Sequence, residues 1–306
     1  MARKLRYVPE KWTLISITNR TVQGRHLLRP GPTFNDIFLG ILGRAQRCYG
    51  IQLFAVAALS SHFHLLLTAE DAEKVAHFMR DFQSKLARET NRLTGWRGPV
   101  FERRYEMTVV TDEEKAQAER LQYVLSQGVK EQLVERVRDW PGVHSAAALL
   151  DGKPLEGHWF DRTREYAARN QREELDPSRF ASEEAVVLSP IPCWAHLTPA
   201  AYRKRVAALV EDIEAEAALA RKRSGATVLG VPAILSQDPH YRPASLARSP
   251  APLVHAATKA ARKFFYETYA AFVAAFRAAT EALRRGERDA PFPAGSFPPA
   301  LPFVAG

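Results

Sequence analysis

The chain has 306 residues, 46% hydrophobic and 25% charged, which fits one large globular domain or two ordinary ones and excludes a disordered polyelectrolyte. Its 43 Lys+Arg outnumber 34 Asp+Glu, for a formal charge of +9, a surplus that either favours a polyanionic partner such as phosphate backbone or only keeps the protein soluble. Cys48 and Cys193 provide neither a disulfide framework nor a paired zinc motif, and no apolar run reaches the roughly 20 residues that span a bilayer, so a soluble, cytoplasmic protein is expected.

Residues 11–19 alternate and are β-branched, which predicts a strand; Pro30-Gly-Pro32 marks a loop. Over 34–48, Ile37, Phe38, Ile41, Leu42 and Ala45 fall at helical spacing, with Gly50 as the stop. Residues 51–59 and 62–68 predict two strands joined by a tight turn at Ser60-Ser61. A long helix over 71–93 carries the apolar stripe Val75, Phe78, Met79, Phe82 and Leu86. Residues 106–110 predict a strand. Thr111-Asp-Glu-Glu114 then opens a helix with an N-cap and an acidic first turn, running through Leu121, Val124 and Leu125 to a stop near Gly128. The order strand, helix, strand, strand, helix, strand is the split βαβ of ferredoxin-like α+β folds. One domain is therefore expected over 1–150.

Residues 151–306 read as a Pro-rich and mainly helical extension. Residues 151–195 show no period and predict loops. Thr198-Pro199 starts a helix toward Arg223, and a last helix covers 253–285 before Gly286. Residues 290–303 predict an extended tail. The role of this half is not legible.

His62 and His64 are one residue apart in a strand, so both imidazoles share a face while Phe63 points into the opposite layer. Two imidazoles on one rigid face can converge on a metal ion. Tyr123 and Gln127 lie four apart on a predicted helix, hence on one face. If that helix crosses the histidine strand, Gln127 can add an amide oxygen as third ligand and Tyr123 can present its phenol beside it. Taken alone, a His-x-His spacing is common and more often structural, and an ordinary half-buried tyrosine with a solvated glutamine is the better account of the other pair. Lys85, Arg88 and Arg92 share a helix face that either lines a phosphate groove or is a solvated charged face. Arg103 and Arg104, beside Phe101 and Tyr105, mix charge with stacking surface as single-strand binders do.

The segment Leu59-Ser-Ser-His-Phe-His-Leu-Leu-Leu67 resembles the histidine–hydrophobic–histidine strand of HUH nucleases. The helix Leu121-Gln-Tyr-Val-Leu-Ser-Gln-Gly-Val-Lys130, then Asp139-Trp-Pro141 and His144-Ser145, resembles the Y1 transposase domain of IS200-like and REP-associated tyrosine transposases, as does the turn Val100-Phe-Glu-Arg-Arg-Tyr105. The likeness covers about residues 5–150. It departs at Ser60-Ser61, where members carry Pro-Asn, and at Ser126-Gln127-Gly128-Val129, where they carry Asn-Pro-Val after the tyrosine.

The resemblance implies a metal-dependent transposase and single-strand DNA endonuclease. Tyr123 would be the nucleophile, leaving a 5′-phosphotyrosine and a free 3′-hydroxyl; His62, His64 and Gln127 would hold Mg²⁺ or Mn²⁺. Ligand softness alone would also tolerate Zn or Ni. The implied partner is single-stranded DNA carrying a hairpin, bound by a monomer or a homodimer. A domesticated protein of the same fold that binds hairpins without cutting them is the alternative.

Overall fold

The structure, a computed structural model, describes residues 5–170, 176–245 and 252–296. Its elements in order are β1 (Ile15–Arg20), α1 (Pro32–Tyr49), β2 (Gln52–Leu59), β3 (His62–Thr68), α2 (Ala72–Thr94), β4 (Glu106–Val110), α3 (Glu114–Leu125), α4 (Ala146–Asp151), β5 (Leu155–Phe160), α5 (Arg162–Asn170), β6 (Ala181–Val186), α6 (Pro199–Ser224), α7 (Val231–Leu235), β7 (Val254–His255) and α8 (Lys259–Arg284). The main sheet has the order β2-β3-β1-β4-β7. Its first four strands pair antiparallel, which is the ferredoxin-like split βαβ; β7 joins β4 in parallel.

Alternation along β3 divides the interior into two layers. Phe63, Leu65 and Leu67 face α1 and α2, where Phe63 meets Phe38 and Phe82 edge-on at 6.3 and 5.5 Å between ring centres. Leu66 faces the other way, into a core with Leu121 and Val124 of α3 and Val206 and Ile213 of α6. The helical boundaries follow local chemistry. Gly50 and Gly95 close α1 and α2 in the left-handed conformation, and the Asp71, Thr198 and Thr258 side chains cap α2, α6 and α8. No helix among the described residues is long and apolar enough to cross a membrane.

Four expectations change. The helix expected to open at Thr111 starts at Glu114, because the Thr111 hydroxyl donates to Glu113, which also accepts from the Ala257 backbone N–H. It ends at Leu125 instead of reaching Gly128. Residues 151–195, expected as loops, contain the β5–β6 hairpin, an additional two-stranded sheet packed on α1. The last helix starts at Lys259, not at 253, since 253–255 extends the sheet beside β4. Of the expected tail over 290–303, residues 297–303 lie outside the described residues.

Both edges of the ferredoxin-like sheet are covered by later segments. On β2, the Ala58 N–H donates to Val143 O, the Ser145 N–H to Val56 O and the Ser189 N–H to Leu53 O, each at 2.8 Å. Trp140 Nε1 adds a bond to Ala58 O at 3.0 Å. On β4, the Val109 N–H reaches Leu253 O at 3.0 Å. Unpaired edge groups are thereby satisfied without exposing a strand to other chains.

The hairpin docks on α1 with backbone in close approach, beside the buried Val186 and the Glu184 ion pairs with Arg44 and Arg47. A Cβ on Gly40 would lie 2.1 Å from the His158 carbonyl carbon, and one on Gly157 the same distance from Asp36 O. Gly40→Ala should therefore destabilise the protein by about 1–3 kcal/mol through overpacking, exceeding the ~1 kcal/mol that alanine gains in a helix; urea unfolding measures the difference.

His144 bridges Ala57 at the β2 edge, is buried, and accepts the Ala146 N–H on Nδ1 at 3.1 Å. That bond requires an unprotonated Nδ1, and burial holds the ring down to about 4. The unfolded ring takes its proton near 6.5, so the stability it contributes is present above that value and lost as pH falls toward 4. Asn at this position keeps an acceptor in the same place but cannot titrate. His144→Asn should flatten the loss of unfolding free energy between pH 6.5 and 4 by up to about 1.4 kcal/mol per pH unit.

Candidate functional site

β3 is flanked on both sides, and its register places His64 between Thr18 of β1 and Ala57 of β2, with Arg20 opposite His62. The small neighbours leave room for the imidazole, which is 4% exposed. Its ring centre lies 5.1 Å from that of His62 and 5.3 Å from that of Tyr123, edge-on in both cases. α3 lies across this face, buried through Ala116, Leu121, Val124 and Leu125, and Tyr123 stands half-buried at its margin.

Gln127 falls just beyond the last helical turn, yet its fully buried side chain folds back and donates Nε2 to Tyr123 O at 2.7 Å. This orients the amide and leaves Oε1 buried without a partner; both ring nitrogens of His64 are buried without one as well. Such atoms carry a desolvation cost of about 1–3 kcal/mol each unless something fills the space. The structure therefore brings His62, His64, Tyr123 and Gln127 together.

Electrostatics hold both imidazoles neutral. Burial, then Arg20 and Lys130, push His62 down to about 4, against a smaller opposing effect of Gln127. Burial, then His62, Lys130, Arg120 and Arg20, hold His64 well below its ordinary value. Neutral imidazoles are the metal-binding form. Among the described residues no group of three His, Cys, Asp or Glu side chains is placed to hold a metal ion, so an ion at this position would need the Gln127 amide as its third donor. The orphaned Oε1 and His64 nitrogens fit that role.

Three cations at the site were not anticipated: Lys130 and Arg120 lie against the tyrosine and Arg20 acts on the imidazoles. Lys130 Nζ lies 3.7 Å from the Tyr123 ring centre and Arg120 Cζ 4.6 Å. Arg120 is anchored to Ser16 Oγ at 2.7 Å. Arg120 sits three residues before Tyr123, a helical neighbour that spacing alone marks. Arg20 becomes visible only through strand register, and Lys130 only once the chain turns back after α3.

The other predicted contacts are placed unevenly. Lys85, Arg88 and Arg92 lie on α2, across the sheet from the histidines, so the structure does not bring them to this site. Lys85 bonds Asp81 at 2.9 Å, and Arg92 lies within 3.9 Å of Glu89 and 3.8 Å of Glu165. Arg103 and Arg104 are exposed in the turn before β4, where Glu102 N–H bonds Arg20 O, at the His62 end of the sheet. They border a cavity of about 500 Å³ that Arg6, Tyr105 and Tyr269 also line.

Ser60-Ser61, the turn before His62, is clamped from several directions. Thr21 N–H and Oγ1 both donate to Ser61 O, Ser60 Oγ donates to Gln237 Oε1 at 2.6 Å, and Ser61 Oγ meets His62 Nδ1 at 3.1 Å. Arg29 bonds Gln237 O and Arg25 bonds His240 O, fixing the 237–240 segment over the turn.

No protein-family model and no curated protein matches the chain. Among solved structures it is similar to a REP-associated tyrosine transposase bound to a REP hairpin, at 17% identity and a TM-score of 0.39 over 47% of this chain and 82% of that one. It is also similar to a Deinococcus radiodurans R1 protein provisionally described as a transposase, at 21% identity and a TM-score of 0.29 over 42% of this chain and 98% of that one.

Proposed function

We propose that this chain is a metal-dependent single-strand DNA nicking and joining enzyme of the HUH tyrosine-transposase type, with Tyr123 as nucleophile. The observation that carries the reading is the meeting of a half-buried tyrosine with two neutral imidazoles and an orphaned amide oxygen on one sheet face. Its substrate is single-stranded DNA carrying a hairpin, and it works from solution rather than in a membrane.

A phosphodiester resists attack because its negative charge repels nucleophiles. Arg20, Arg120 and Lys130 surround the site with positive charge, which draws in a phosphate and offsets that repulsion. His62, His64 and Gln127 would hold Mg²⁺ or Mn²⁺, which when bound polarises the phosphate oxygens. Tyr123 Oη attacks phosphorus and gives up its proton; the bond to the 3′ oxygen breaks, leaving a 3′-hydroxyl and a 5′-phosphotyrosine. The linkage conserves the energy of the broken bond, so a second strand can displace the tyrosine without ATP. The Gln127 bond to Tyr123 O ties the third donor to the nucleophile's own backbone, so the two move together.

With labelled hairpin single strands and Mn²⁺, a slow-migrating protein–DNA adduct should appear on a denaturing gel. Tyr123→Phe and a chelator should each abolish it. Tight binding with no adduct would replace this reading with that of a non-cleaving hairpin-binding protein; free 5′-phosphate ends without adduct would indicate hydrolysis by water.

Ion binding can be read without cleavage. Mn²⁺ at about 100 times its Kd should raise stability by roughly 2.7 kcal/mol, seen as an upward shift in Tm. Mg²⁺ should give a smaller shift at equal concentration. His64→Ala should remove the Mn²⁺-dependent shift; an unchanged shift would take His64 out of the ion site.

A further inference from the structure

A groove of about 510 Å³ opens beside Tyr123, between α3 with the residues that follow it and α6. Tyr123, Gln122 and Gln132 line one wall; Glu216, Ala217 and Ala220 of α6 line the other. This volume is in the range of pockets that enclose a small planar ligand.

Charge separates this groove from the histidine side. Glu119, which also meets His255 and Lys115, and Glu216 line it together with one cation, Lys130, so it draws phosphate less than the histidine side does. Arg20 and Arg120, by contrast, act on the imidazoles, with Lys130 over the tyrosine ring at the boundary between the two sides. A strand presented to Tyr123 thus meets stronger attraction for its backbone on the histidine side than in the slot, where two carboxylates face one lysine. What suits the slot is the neutral part of a nucleotide. Ala217 and Ala220, three apart on one helix face, leave room for a flat ring. The side-chain amides of Gln122 and Gln132 form no hydrogen bond among the described residues, and an amide presents the donor–acceptor pair that reads a base edge.

The wall is also held in place at a cost. Gln132 has φ 58°, a left-handed conformation that disfavours a side chain by about 1–2 kcal/mol. Leu229 N–H to Gln132 O at 2.9 Å and Gly230 N–H to Leu133 O at 3.0 Å maintain it. Both donors come from the segment after α6, so the same half of the chain that supplies the second wall also sets the first. Strain of this kind concentrates where a side chain must be aimed.

We infer that the groove between α3 and α6 is a nucleobase pocket, which takes one unstacked base next to the phosphate presented to Tyr123 and sets a base preference. It rests on the single-strand DNA reading of the same site. The strand's backbone lies on the cationic side while its base enters between Tyr123 and the α6 alanines, with its edge on Gln122 and Gln132.

The test uses the full chain carrying Tyr123→Phe, so that bound strands stay intact, and fluorescence anisotropy. The probes are 12-nucleotide strands of dT, dC and dA and an all-abasic strand of equal length and charge. The base-bearing strands should bind roughly tenfold more tightly than the abasic one, and not equally among themselves. Ala217→Trp, which fills the slot, and Gln122→Ala, which removes an edge contact, should each shrink the preference for base-bearing strands while leaving abasic-strand affinity unchanged. A preference that survives both substitutions, or no preference before them, would overturn the pocket. Failure of the wild-type chain to form a tyrosine adduct would overturn the nicking reading and leave this affinity pattern standing, so the two outcomes are separable.

Discussion

The burial of β3 between β1 and β2 is the constraint on which the rest depends. A strand paired on both edges cannot slip its register without turning Phe63, Leu65 and Leu67 out of the aromatic layer under α1 and α2. The same pleat points His62 and His64 at α3. The packing energy of one face therefore positions polar groups on the other, and the imidazoles inherit the rigidity of the Phe38, Phe63 and Phe82 cluster although they take no part in it. Thr18 and Ala57 beside His64 complete the arrangement, since larger neighbours would occupy the space between the ring and Tyr123.

That placement has an energetic cost. A buried imidazole with neither nitrogen bonded, and a buried amide oxygen without a donor, oppose folding, and the cations around them would deepen the penalty if either ring took a proton. The fold tolerates this because two apolar layers and a covered sheet edge stabilise the surroundings. Other buried polar atoms lack partners elsewhere in the fold, but here an imidazole with both nitrogens unpartnered stands with an unpartnered amide oxygen on one sheet face. The charge pattern specifies it further. Arg20, Arg120 and Lys130 leave this face attractive to an anion.

Much of the first half was legible because its signals are local. The alternation over 62–68, the helical spacing of Ile37, Phe38, Ile41 and Leu42, and the glycine stop at Gly50 act within a few residues, and each element formed where those signals lie. The α3 boundaries were less legible, because Thr111 and Glu113 bond to a segment near Ala257 rather than capping the helix. The β5–β6 hairpin gave little periodic signal for a definite reason: at the closest approach to α1 it presents Gly157 and the His158 backbone to Gly40, and Glu184 is buried in ion pairs beside Val186, so its buried face mixes glycine, a carboxylate and apolar residues. For the site, the His62–His64 pair and the Tyr123–Gln127 spacing were readable, while Arg20 and Lys130 were not, since their approach depends on register and on the chain turning after Leu125. The cationic face of α2 illustrates the reverse limit. Helical spacing groups Lys85, Arg88 and Arg92, but only the layer order shows that the sheet separates them from the histidines.

The second half is tied to the first at the points that bear on chemistry. Gln237 bonds Ser60 at the turn that begins the histidine strand, and Leu253 with β7 completes the sheet beyond β4. His255 Nε2 lies 3.0 Å from Glu119 on α3, the helix that carries Tyr123, and α6 packs its Val206, Val210 and Ile213 into the layer beneath that helix. The Ser60-Ser61 turn lacks the proline that would stiffen it from within, and the 237–240 segment supplies rigidity from outside instead. Because these contacts reach both the strand that carries the imidazoles and the helix that carries the tyrosine, displacement of the second half would alter the distance between them. The geometry of the site is thus a property of the whole chain rather than of its first 150 residues alone.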